Sequence, residues 1–164
     1  NLPINLKFAQ NIIVNRNKDT NSYAAALIAE IIRSELLKSN NSFSFETVMS
    51  HPSKVEILSL AHQNQFKTYL YFLCTEYPEI NIERVRNRVA KGGHPVNEDK
   101  IVSRYYQSLE LLPKAIDKSY RAFIFDNSGS YFKLIAEIFK GEEITLFDEN
   151  PPEWVKTYVF DKLL

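Results

Sequence analysis

The chain has 164 residues, 45% of them apolar, with 11 Phe, 9 Tyr and one Trp, which excludes a disordered segment and suits one domain with its own core. Twenty basic side chains balance twenty acidic ones, and a formally neutral chain is not one built to coat nucleic acid. The single cysteine, Cys74, allows no internal disulfide and points to a reducing, cytoplasmic setting, while apolar runs such as 69–74 are too short to span a bilayer.

Residues 4–16 mix apolar and amide side chains and read weakly as helix. The N-terminus lacks the basic-then-apolar signal pattern, and the chain does not begin with Met, which suggests a trimmed, processed or engineered start. Asn21 and Ser22 cap a helix to about Lys38, with Ala25, Ile28, Ile31, Ile32 and Leu36 on its apolar side, and Asn40-Asn41 ends it. Ser42 to Thr47 alternates phenylalanines and predicts a strand. Ser50-His51-Pro52 opens a helix to about Gln63. Lys67 to Cys74, KTYLYFLC, is nearly continuous apolar sequence, as in a parallel strand buried on both faces.

Asn81 is expected to cap the next helix, which carries Arg84, Arg86, Arg88 and Lys91 and stops at Gly92-Gly93. At about 100° per residue, Ile82, Val85 and Val89 form its apolar stripe. Arg84, Arg88 and Lys91 then share one flank, where guanidinia four residues apart can grip one anion, and Arg86 points elsewhere, as a surface charge does. Asn97 caps a helix with Ile101, Val102, Tyr105, Tyr106, Leu109 and Leu112 on its core face. Arg121 to Phe125 reads as a further buried strand. Phe132 to Phe139 and Glu143 to Phe147 flank Lys140-Gly141 as a β-hairpin, and Pro151-Pro152 begins a last helix carrying Trp154, Val155, Tyr158 and Val159.

The alternation predicts a single α/β domain over 1–164, a parallel sheet flanked by helices with a C-terminal hairpin and helix. Such sheets bind ligands beyond the carboxyl ends of their strands. The three expected strands leave the core at Glu46-Thr47, at Thr75-Glu76 and at Asp126-Asn127-Ser128. For Thr75-Glu76 an ordinary polar loop is the better reading; Glu46 and the Asp-Asn-Ser triplet directly abut apolar sequence. Three scattered histidines and one cysteine do not make a metal-site spacing, and there is no Ser-His-Asp or Cys-His pattern.

The segments SFSFETVMS (42–50), INIERVRNRVAKGGHPV (80–96), DKIVSRYYQSLELL (99–112) and RAFIFDNSG (121–129) resemble, in order and spacing, the zeta-toxin family of P-loop kinases. The resemblance covers about Tyr23 to Gly129. It implies a P-loop nucleoside-kinase-like fold and transfer of phosphate from ATP or GTP, with Mg²⁺, to a hydroxyl of a small acceptor such as a UDP-sugar. It places Glu46, Thr47 and Ser50 at the acceptor, and gives Arg84, Arg88 and Arg104 to the phosphates. Gly92, Gly93 and His94 would form a mobile cover, and Asp126, Asn127 and Ser128 would hold the nucleotide base. A small helical antitoxin is the implied partner. Solvation is nearly as good a reading of Arg104, and a turn-capping role of His94.

The chain departs from that pattern in two ways. No G-x-x-x-x-G-K-[ST] occurs, the four glycines being Gly92, Gly93, Gly129 and Gly141. The family's acidic residue for the acceptor hydroxyl has no match either, Asp19 being the only aspartate before Asp99. The phosphate loop and its strand are therefore expected upstream of Asn1. The second expectation, from a different class, is a non-catalytic domain that keeps an anion- or partner-binding surface.

Overall fold

The computed structural model describes residues 6–10, 12–16 and 22–163, and the chain divides into two compact units, Asn1–Phe45 and Glu46–Leu164. In the first unit, β1 (Leu6–Ala9) and β2 (Ile12–Asn15) pair antiparallel, Leu6 opposite Asn15 and Ala9 opposite Ile12. The helix expected over 4–16 is thus corrected to a hairpin. The chain reverses where Gln10 takes a φ of +50°, and the ladder takes up the backbone groups a helix would have used.

α1 (Ser22–Lys38) has the predicted extent, while Asn21 lies outside the described residues. Its burial falls on Ala24 and Leu37; of the expected apolar side, Ile28 and Leu36 are half-buried and Ala25, Ile31 and Ile32 are exposed. Asn40, at φ +54°, ends the helix. The strand predicted over Ser42 to Thr47 is absent, and the segment is irregular. Its alternating phenylalanines satisfy each other instead of a sheet. The Phe43 and Phe45 rings stack with centroids 6.2 Å apart, and Arg33 lies 5.0 Å over Phe45.

In the second unit, α2 (Ser53–Gln63) begins after Pro52 and buries Val55 and Ala61. A four-stranded sheet follows, with strand order β3 (Tyr69–Cys74), β4 (Arg121–Asp126), β5 (Lys133–Phe139) and β6 (Glu143–Leu146). Among the described strands only β3 and β4 are parallel, joined by the long crossover through α3 (Pro78–Ala90) and α4 (Glu98–Asp117); β4–β5 and β5–β6 are antiparallel. The predicted parallel sheet is therefore corrected to a mixed one. Short connections can join only antiparallel neighbours, and the 127–132 link and the Lys140-Gly141 turn are both short. Both turn residues have positive φ, +53° and +74°, as a tight hairpin requires.

One sheet face carries the core. Phe72 and Cys74 of β3, Ala122 and Ile124 of β4, and Ala136 and Ile138 of β5 pack with Leu109, Leu112 and Ile116 of α4. Trp154 and Val155 of α5 (Glu153–Val155) and Val159 of the π-helical turn Lys156–Phe160 complete it, before α6 (Asp161–Leu163). α4 lies against α2, α3 and the π turn.

The other face shows why β3 is not buried twice over. As the edge strand it alternates, with Phe72 and Cys74 buried and Tyr69, Tyr71 and Leu73 exposed. Its continuous apolar sequence reflects aromatic stacking on the outer face, where Tyr71 lies on Phe123 at 5.0 Å. Beside that pair, Arg121 binds Glu137 at 2.7 Å.

α3 starts three residues before the predicted cap. Pro78 occupies its first turn after an extended Tyr77, and Asn81 lies inside the helix, donating to Thr75 Oγ1 at 2.8 Å. Asn97 caps α4 as expected, its side chain accepting from the Lys100 N–H at 3.2 Å. Tyr106 of the predicted α4 core face is exposed, whereas Ser108 is buried.

Candidate functional site

Because β3 and β4 are parallel, their carboxyl ends lie side by side, and the polar residues beyond them are bonded to one another. The Asn127 N–H donates to the Cys74 carbonyl at 2.7 Å, one step past the last ladder pair. The Glu76 N–H donates to Ser128 Oγ at 2.7 Å, and that hydroxyl donates to Asp126 Oδ1 at 2.6 Å. Thr75, only 2% exposed, donates its hydroxyl to the Tyr77 carbonyl and accepts from Asn81. Beneath them the Tyr105 hydroxyl reaches the carbonyls of Thr75 and Glu76 at 2.9 and 3.0 Å. Thr75-Glu76 is thus a fixed joint between the two strand ends.

Burial shapes the ionisation here. Desolvation pushes the Cys74 thiol up to about 12 and raises the Tyr105 phenol well above its ordinary value, so both are neutral at physiological pH. Neither group is a nucleophile in this setting.

α3 stands over this joint. Arg84 Nη2 donates to the Asn127 carbonyl at 2.7 Å and to the Gly129 carbonyl at 3.3 Å. One turn later Arg88 Nη2 donates to the His94 carbonyl at 3.0 Å, across the Gly-Gly turn. Gly92 has φ +87°, and a Cβ at Gly93 would sit 2.6 Å from Arg88 Cγ. The two glycines therefore let the chain fold back onto Arg88.

Between these tethers lies an open cavity of about 480 Å³ lined by Arg84, Asn87, Arg88, Lys91, Gly92 and Gly93. Three of its six lining residues are cations. From Arg84 to Lys91 the helix rises about 10 Å, longer than one phosphate and suited to a chain of them. A guanidinium has five donors, so each arginine keeps donors beyond those its carbonyls take. The chemistry on offer is anion binding by two tethered guanidinia with the exposed Lys91 beside them, which fits a polyphosphate.

Not every expected residue joins the site. Arg104 is half-buried on α4 and does not line the cavity. The carbonyl of His94, not its ring, meets Arg88. Glu46 and Thr47 are exposed in the irregular segment rather than at a strand end, and Ser50 is half-buried there. Thr47 Oγ1 accepts from the Met49 N–H at 3.2 Å, closing a turn in which Met49 has φ +56°. Asp126 and Ser128 bond to each other, Ser128 also accepts from the Glu76 N–H, and Asn127 contributes a carbonyl to Arg84. Arg86 pairs with Glu98 at 2.7 Å in the open. Asn87 is the lining residue that the sequence reading lacks; its position three after Arg84 and four before Lys91 is the signal that could have found it. Among the described residues no group of three or more His, Cys, Asp or Glu side chains could hold a metal ion, and no helix is long and apolar enough to cross a membrane.

No family model and no solved structure matches the chain. It is 32% identical over 69 residues to an uncharacterized protein of Haemophilus influenzae, a match covering 42% of this chain and 49% of that protein. The chain thus matches about half the length of that relative.

Proposed function

We propose that the chain belongs to a nucleotide-dependent phosphotransferase of zeta-toxin type, with a P-loop kinase-like fold. The reaction is transfer from ATP or GTP to a hydroxyl of a small acceptor, a UDP-sugar in the leading case. The observation that carries this reading is the α3 cavity, where Arg84, Arg88 and Lys91 converge beside a Gly-Gly turn. Cations grouped in this way hold a polyphosphate and meet the charge that spreads over a transferring phosphoryl group. Mg²⁺ would arrive with the nucleotide and would supply charge neutralisation at its phosphates, since the described residues offer no carboxylate cluster to hold it. Arg84 and Arg88 orient the phosphates, and the Gly92-Gly93-His94 turn covers them. Glu46, Thr47 and Ser50 remain the acceptor-side proposal, and a small helical antitoxin the partner, both resting on the family resemblance.

The test is titration of the protein with Mg·ATP, Mg·GTP and tripolyphosphate by calorimetry, followed by labelled phosphate transfer to a panel of nucleotide sugars. Arg84→Ala is expected to lower transfer on the order of a hundredfold. Glu46→Gln is expected to impair use of the acceptor and leave nucleotide affinity intact. If polyphosphate binds and no transfer follows, the second reading stands: a non-catalytic anion-binding domain. The observation that supports it is the cation-lined α3 cavity, which suits an anion whether or not transfer follows. Failure to bind any of the three ligands overturns both readings.

A further inference from the structure

The carbonyls that hold Arg84 belong to the residues on either side of Ser128, and Ser128 is the best-anchored residue of that turn. Its hydroxyl donates to Asp126 Oδ1 at 2.6 Å and accepts from the Glu76 N–H at 2.7 Å. Its own N–H approaches Asp126 Oδ2 at 3.4 Å. One oxygen thus ties the β4 exit both to its own strand and to the end of β3. With Asn127 N–H already fixed on Cys74, the turn has little freedom left, and the Asn127 and Gly129 carbonyls are presented together to Arg84 Nη2. Arg84 lines the cavity and Ser128 does not.

We infer that Ser128 is a positioning residue for the anion site: through the turn at 127–129 it fixes which edge of the Arg84 guanidinium faces the cavity. This deepens the proposed function and rests on it for its biological meaning. The family resemblance implies that the Asp-Asn-Ser triplet holds the nucleotide base; the bonds of its outer members give them a different task. Asp126 and Ser128 shape the turn, and the backbone between them holds a cation. Two carbonyls on one nitrogen leave the remaining N–H groups of Arg84 aimed as a set.

The experiment has two arms. The first needs no ligand. The Arg84 side-chain NH resonances, assigned by comparison with Arg84→Ala, are expected to show slowed guanidinium rotation in the wild type. Ser128→Ala is expected to collapse them to an averaged signal, and Ser128→Thr, which keeps the hydroxyl, to preserve them. Arg84 resonances unchanged by Ser128→Ala overturn the inference. The second arm measures tripolyphosphate affinity. Ser128→Ala is expected to weaken it about fivefold in the wild type and to add nothing in the Arg84→Ala background, the non-additivity of coupled residues. An equal loss in both backgrounds overturns the inference. Ser119→Ala, which removes a buried hydroxyl bonded to the Ala115 carbonyl, is the stability control: a lower melting temperature with unchanged affinity. A wild type that binds no tripolyphosphate counts against the proposed function, while the resonance arm still decides the role of Ser128.

Discussion

Gly93 is packed against Arg88 so closely that a Cβ at position 93 would meet Arg88 Cγ at 2.6 Å and the Arg88 carbonyl oxygen at 2.9 Å. The Cγ can move only by turning the whole Arg88 side chain, guanidinium included, and the backbone oxygen cannot move aside at all. Gly93→Ala must therefore open the turn, and with it the bond from Arg88 to the His94 carbonyl. The expected cost is about 1–3 kcal/mol, together with weaker tripolyphosphate binding. At Gly92 the space is open and only the φ of +87° resists a side chain, so Gly92→Ala is expected to cost about 1–2 kcal/mol in stability with a smaller effect on binding. Thermal unfolding and calorimetry on the two variants check the contrast; equal binding losses contradict it.

The buried thiol of Cys74 makes an alkaline prediction. Its pKa rises from 9.0 to about 12 on folding, chiefly through desolvation. Above pH 9 the unfolded chain releases this proton and the folded one keeps it. The folded state then binds more protons, and stability falls as pH rises. The contribution is fully present below pH 9 and is lost progressively up to about 12. Tyr105, also raised by desolvation, acts in the same direction at the top of that window. Urea unfolding between pH 8 and 11 is expected to show the decline, and Cys74→Ala to reduce it, most clearly below pH 10 where Tyr105 does not yet contribute. In the native protein the thiol is expected to resist thiol reagents until denaturant is added.

What could be read in advance follows from the range of the interactions involved. α1, α2, the Gly-Gly stop, the Asn97 cap, β4 and the C-terminal hairpin and helix are written in residues close together along the chain. The clustering of Arg84, Arg88 and Lys91 is one-helix arithmetic, and the cavity lies on that flank. The misread segments are those where the deciding neighbour is distant or missing. Phe43 and Phe45 alternate as strand residues do, but among the described residues no strand pairs with them and their rings stack on each other. β3 reads as doubly buried, yet nothing in its sequence says that it pairs on one side alone. The joint of Thr75, Glu76, Tyr105 and Ser128 depends on partners 29 to 52 residues apart, and no local pattern announces it.

The alternation of β3 is open to a direct test. Phe72 is 7% exposed and meets Trp154 with centroids 6.0 Å apart, whereas Tyr71 is 61% exposed. Phe72→Ala is expected to cost about 3–5 kcal/mol, since it removes a ring from the packed face. Tyr71→Ala gives up one stacked partner, Phe123, on an open surface and is expected to cost about 1 kcal/mol. Chemical denaturation of the two variants measures both. Comparable losses would mean that the outer face of β3 is covered in solution.

Arg84 and Arg86 lie two residues apart on one helix and are expected to behave as opposites. Arg86 pairs with Glu98 where both side chains are more than half exposed, and such pairs contribute from nothing to about 1 kcal/mol. Arg86→Ala is therefore expected to leave tripolyphosphate affinity unchanged and the melting temperature nearly so. Arg84 bridges α3 to the turn after β4 and lines the cavity as well. Arg84→Ala is expected to lower tripolyphosphate affinity about tenfold or more, as loss of a charge-assisted contact does. Net charge falls by one in both variants, so a non-specific attraction of the phosphate chain to a basic surface predicts equal losses. Calorimetry at two salt concentrations separates the cases. Loss confined to Arg84→Ala and retained at the higher salt supports a formed site, and matching losses that fade with salt rule it out.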